Sequence, residues 1–164
     1  MTVQTPLGRL VRDESGGHLE FIRLLPQTPE AVWRALTEPA ELAAWFGTWT
    51  GDPAEGHVQL SMSAEDDDSP QTVRITRCDA PAHLSVETQS PTGTWPLEIA
   101  LAESDEGTRL SFTHHLAQTD DSTDIGPGWH FYLDRLHAAL TGEPVPQDWE
   151  QYYPALAASY ERPK

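Results

Sequence analysis

Between residues 58 and 114 apolar side chains return at every second position, in short runs. These are Val58, Leu60 and Met62; Val73 and Ile75; Leu84 and Val86; Trp95, Leu97, Ile99 and Leu101; and Leu110, Phe112 and His114. An extended chain turns successive side chains to opposite faces, so each run predicts a strand with one apolar face. Between the runs lie Gly51 to Gly56, Asp66 to Pro70, Asp79 to Ala82, Ser90 to Gly93 and Ser104 to Gly107, all rich in turn-forming residues. Strands at this spacing predict an antiparallel meander. Near Pro127 the period changes. Trp129, Leu133, Leu136 and Leu140, with Tyr132 beside them, share one face of a helix. That face needs an apolar surface to lie on, and the inward side of the sheet supplies one. The fold class expected is therefore α+β, a curved antiparallel sheet with a long C-terminal helix across its concave face.

Upstream, Leu7 to Arg12 and His18 to Leu25 flank Asp13-Glu14-Ser15-Gly16-Gly17, which predicts an opening hairpin. Thr28-Pro29-Glu30 carries a capping hydroxyl, a proline suited to the first helical position and an acid for the positive end of the dipole. A short helix to Leu36 follows. Glu38-Pro39 restarts the chain, and the spacing of Leu42, Trp45 and Phe46 predicts a second short helix ending before Gly47. Residues 1–164 are read as a single domain, with a core over 7–142 and an extension, 143–164, that packs back on it. Trp149, Tyr152, Tyr153, Leu156 and Tyr160 give that extension the apolar surface for a closing helix. Phe131, on the far side of the long helix, hints at a self-contact or a contact with this tail.

The formal net charge of −16 repels a phosphate backbone, and the nine arginines are scattered singly, so no nucleic acid is expected as a partner. The same charge disfavours anionic lipid, and no apolar stretch approaches bilayer length, so no membrane association is expected either. Met1 to Gly17 lacks the charged-then-apolar order of a signal peptide, which points to the cytoplasm. The lone Cys78, inside a strand pattern, is expected to be packed rather than reactive. Neither a nucleophile elbow nor a phosphate or dinucleotide glycine fingerprint is present, and no cofactor is expected. No catalytic residue is assigned and no metal site is expected. Glu65 to Asp68 reads as a solvated loop, and His130, Asp134 and His137 as a solvated polar flank of the last helix. Glu98 with Glu103, and Asp105 with Glu106, fall on outward positions or in turns.

Three stretches carry a family resemblance. Thr28-Pro29-Glu30-Ala31-Val32-Trp33-Arg34-Ala35-Leu36-Thr37-Glu38-Pro39, then Leu42-Ala43-Ala44-Trp45-Phe46, then Gly128-Trp129-His130 running into Leu133-Asp134-Arg135-Leu136 and Leu140-Thr141-Gly142 resemble the bacterial branch of the activator of heat-shock-protein-90 ATPase homologue family. Asp79-Ala80-Pro81-Ala82-His83-Leu84 and Glu106-Gly107-Thr108-Arg109-Leu110 are similar to further segments of that family, in the same order. The family lies within the START-related, or SRPBCC, superfamily of helix-grip proteins. The resemblance implies the helix-grip fold, with two short helices after the first strand, and a cavity for a small apolar or amphipathic molecule.

A cavity between sheet and helix would be lined by Leu60, Met62, Val73, Ile75, Val86, Trp95, Leu97, Ile99, Leu110 and Phe112, and closed by Trp129, Tyr132, Leu133 and Leu136. Trp33 and Trp45 join this set, as does His114, which has the inward parity of Phe112, whereas His115 should face outward. The same large side chains could instead pack together and fill the space. The resemblance, together with these residues, leaves three functions open. They are a carrier or sensor of a small hydrophobic ligand, a chaperone-associated or regulatory domain with a protein partner, and a cyclase-like enzyme using His114 and Tyr132. Either a monomer or a homodimer is compatible with the sequence.

Overall fold

A computed structural model of the chain describes residues 8–11, 14, 16–62, 70–90, 93–105, 107–117, 122–147, 149 and 152–153. Strands β1 (Arg9–Val11) and β2 (His18–Leu25) form the opening hairpin. Helices α1 (Pro29–Thr37) and α2 (Pro39–Leu42) follow β2. The meander comprises β3 (Gly47–Thr50), β4 (His57–Met62), β5 (Gln71–Asp79), β6 (His83–Ser90), β7 (Gly93–Ser104) and β8 (Gly107–His115), and α3 (Ser122–Thr141) comes last. All eight strands form one antiparallel sheet in the order β1-β2-β8-β7-β6-β5-β4-β3. This is the helix-grip arrangement. No helix among the described residues is long and apolar enough to cross a membrane.

Local chemistry explains the entry to the helices. The Thr28 hydroxyl accepts from the Ala31 amide at 3.2 Å, Pro29 opens α1, and the Glu38 amide closes it on the Arg34 carbonyl at 2.8 Å. Together α1 and α2 carry the chain from β2, near one edge of the sheet, to β3 at the other. At the β7–β8 turn Gly107 sits at φ +137°, and a Cβ there would run into the Leu25 carbonyl oxygen. Thr108 beside it donates its hydroxyl to the Gln27 carbonyl at 2.7 Å, which ties the hairpin to the β2–α1 link.

The strand parities follow period two. Leu19, Phe21 and Leu25 on β2, Leu97 and Leu101 on β7, and Leu110 and Phe112 on β8 are buried, and Leu133 and Leu136 of α3 bury against the same core. Some expectations require correction. Helix α2 closes at Leu42, so Trp45 and Phe46 lie in the turn leading to β3, whose single large apolar residue is Trp49. Helix α3 begins at Ser122, more than a turn before Pro127, which lies inside it. Pro127 falls beyond the partnerless amides of the first turn, so α3 gives up one internal backbone hydrogen bond there. The described part of the tail ends at Tyr153, so most of the segment expected to form a closing helix, Leu156 and Tyr160 included, lies outside the described residues. The acidic segment Glu65 to Asp68 also lies outside them.

Candidate functional site

Between α3, the α1–α2 segment and strands β3 to β8 lies a cavity of about 250 Å³. Ten residues expected to line it do so: Trp45, Leu60, Val73, Ile75, Val86, Leu97, Ile99, Phe112, Trp129 and Leu133. Further walls come from Leu36, Leu42, Phe46, Trp49, Val58 and Leu84. Leu36 and Leu42 lie on α1 and α2, Phe46 in the turn after α2, and Val58 and Leu84 on strands; the sequence pattern marks these five as apolar without placing them at the cavity. Trp49 carried the weakest signal, because a four-residue strand with one apolar side chain shows no alternation.

Hydrogen bonds hold the aromatic walls in place. The Trp45 indole N–H donates to the Ala35 carbonyl at 2.8 Å and that of Trp49 to the Thr37 carbonyl at 2.7 Å, both on α1. Trp129 donates its indole N–H to His114 Nδ1 at 2.8 Å. An imidazole nitrogen that accepts carries no proton, so neutral His114 holds its proton on Nε2. Trp129 lies on Phe112 with centroids 4.6 Å apart and nearly parallel to Phe46, the planes 17° apart. The aromatic wall is thus one continuous packed surface running from the turn after α2 to β8.

Other expected members stand elsewhere, and the expectation that they line the cavity is corrected. Leu110 and Leu136 are fully buried in the core beyond it. His114 is also fully buried, behind Trp129, with Trp95 against it at 4.9 Å; neither reaches the lining. Tyr132 packs edge-on against Phe46 at 4.9 Å, and Trp33 is a half-buried residue of α1; both pack on the core outside the lining. The Met62 side chain lies outside the described residues. His115 is exposed, as its parity requires, and meets Glu98 at 2.9 Å.

Cys78 was expected to be packed and is exposed. The β5–β6 register shifts between Ile75 and Arg77, so Ile75 faces Val86 while Cys78 faces Leu84. A bulge inserts one residue and reverses parity. It thereby returns Cys78 to the concave face, where it forms part of the cavity rim.

The other flank of α3 is also corrected. His130 and Asp134, expected in solvent, are 0% and 8% exposed. Asp134 Oδ2 accepts from the Tyr152 hydroxyl at 2.7 Å and lies 3.6 Å from His130 Nε2, and Asp134 Oδ1 is 3.9 Å from an Arg23 guanidinium nitrogen. Arg23 is 4% exposed and shares the parity of Leu19, Phe21 and Leu25. Burial lowers the His130 pKa from 6.5 to about 4; Asp134 pulls it back and Arg23 adds to the depression. Burial raises that of Tyr152, and its hydrogen bond to Asp134 adds to the effect. Phe131 is covered by Trp149 and Tyr152 at 5.4 and 5.2 Å, so the contact it makes is with the tail. Arg135 donates to the Trp45 carbonyl at 2.8 Å and to the Pro146 carbonyl at 2.6 Å, joining the turn after α2, α3 and the tail.

A family model described as Activator of Hsp90 ATPase homolog 1-like protein matches residues 26–141. No curated protein sequence matches the chain. Among solved structures, CalU16 from Micromonospora echinospora is similar at 23% identity and a TM-score of 0.71, with 96% of this chain and 94% of that one covered. DynU16, from the dynemicin biosynthetic locus, is similar at 19% identity and a TM-score of 0.68, covering 80% of this chain and 50% of that one. An AHSA1-like protein from Aeromonas hydrophila is similar at 20% identity and 0.64, covering 76% and 92%. At these identities the structures show a shared fold.

Proposed function

The chain belongs to the Activator of Hsp90 ATPase homolog 1-like family, and from that premise we propose that it binds a small hydrophobic or amphipathic ligand between its sheet and α3, as a carrier or sensor. The observation that carries this reading is the cavity itself. A space of about 250 Å³ stays open although Trp45, Phe46, Trp49 and Trp129 all border it. Those rings are held to α1 and to His114 by their own N–H groups or by ring contacts, so they frame the space rather than collapse into it. Burying about 300 Å² of ligand surface contributes roughly 7 kcal/mol at about 25 cal/mol per Å², before association costs are subtracted. Micromolar or weaker affinity is expected.

An enzymatic reading would need polar groups converging inside the cavity. The two side chains proposed for that role, His114 and Tyr132, are both outside the lining, which favours binding over turnover. Localisation in the cytoplasm and a protein partner remain readings of the sequence.

Thermal-shift measurements with a panel of apolar alcohols, aromatics and lipids test the proposal, combined with alkylation of Cys78 at the rim. A bound ligand is expected to raise the melting temperature and to slow the labelling of Cys78. A panel that leaves both unchanged would contradict it.

A further inference from the structure

Resting on that reading, we infer that the cavity selects an uncharged, planar ligand of two aromatic rings and discriminates against the corresponding carboxylate. Size comes first. A dry apolar cavity of about 150 Å³ accepts benzene, and the about 250 Å³ here leaves room for a second fused ring. Shape follows from the walls, because Trp45, Phe46, Trp49, Phe112 and Trp129 all border the space. Aromatic walls favour a flat guest in offset or edge contact.

Charge is decided by what the walls can donate. The indole N–H groups of Trp45, Trp49 and Trp129 are the strongest donors on the lining, and each already donates to a protein acceptor: Ala35, Thr37 and His114. The remaining polar side chains of the described lining are Thr37, Cys78 and Thr88, and the Thr37 hydroxyl donates to the Trp33 carbonyl at 2.7 Å. No arginine or lysine is among the described lining residues, and the Arg135 guanidinium, which reaches the backbone of Trp45, is taken up by the Trp45 carbonyl at 2.8 Å and the Pro146 carbonyl at 2.6 Å. A carboxylate entering the cavity would lose its hydration without gaining a cation, whereas a hydroxyl needs only one weak partner, which Thr88 or Cys78 can offer. The net charge of −16 opposes an anion further.

Calorimetric titration of the full chain at neutral pH with naphthylmethanol, naphthoate and decanol tests this. Naphthylmethanol is expected to bind, with naphthoate weaker by at least about 30-fold. Thr88→Arg, which places a cation on the wall, is expected to narrow that gap by at least about tenfold. Equal affinity for naphthoate and naphthylmethanol, or a gap unchanged by Thr88→Arg, would overturn the inference. Binding of decanol without naphthylmethanol would overturn it too while leaving the proposed function standing, and binding of none of the three, with a silent ligand panel, would remove both.

Discussion

Helix α3 has two different flanks. On one side Trp129 and Leu133 face an open apolar cavity, and on the other His130 and Asp134 meet Arg23 and Tyr152 in a closed, buried polar cluster. The cluster side is sealed by Phe131, Trp149 and Tyr152, and its charged groups have partners close by. The cavity side keeps large side chains apart by hydrogen bonds to backbone carbonyls and to His114. The contrast assigns the two flanks different work, the solid one fixing where α3 and the tail sit, the hollow one leaving room for a guest.

The largest effect is expected where that cluster is broken. Asp134→Ala leaves the Arg23 guanidinium buried without its carboxylate and should cost about 3 kcal/mol in urea unfolding. Adding Arg23→Met should recover much of this loss, since removing both charges relieves the burial that removing one creates. A cost below about 1 kcal/mol for Asp134→Ala would show that the cluster does not anchor the helix.

The next effect is a pH dependence. His130 has a folded pKa of about 4 against an ordinary 6.5, so the unfolded chain binds more protons between those values. The stability tied to neutral His130 is complete above about pH 6.5 and is lost as pH falls toward 4. The stability of the wild type relative to His130→Gln should therefore decline over this window, by on the order of 2 kcal/mol. A constant difference across the window would mean that His130 does not titrate as its burial requires.

These two flanks were unequally legible in the sequence. Leu60, Val73, Leu97 and Phe112 were found because period two is a property of neighbouring residues, and Trp129 and Leu133 because helical spacing is too. Arg23 carried the same parity as Leu19 and Phe21, so its burial was readable in principle, although a lone arginine is ordinarily a surface residue. Its partners come from elements far apart in the chain, and Tyr152 belongs to a tail with no regular period, so nothing local announced the cluster. Cys78 borders open space instead of packed neighbours, and neither that nor the inserted residue in β5 that turns it to the concave face leaves a mark on the hydrophobic pattern. Which aromatic rings border empty space and which touch each other depends on hydrogen bonds such as Trp129 to His114, made across fifteen residues.

The smallest expected effect on stability separates the flanks most sharply. Val86→Phe adds bulk on the cavity wall and should change unfolding free energy by less than about 1 kcal/mol, where overpacking a filled core costs about 1 to 3 kcal/mol. The same substitution should abolish the thermal shift given by any cavity ligand. A large loss of stability would mean that the space is already filled.

Xenon diffraction tests the hollow flank most directly, because the gas enters apolar cavities and needs no specific ligand. Crystals of the unliganded chain under xenon pressure should show a bound atom among Leu97, Phe112, Trp129 and Leu133, and none beside Arg23 and Asp134. Xenon absent from the first site, with the Trp129 and Trp45 rings closed over the space, would contradict the account.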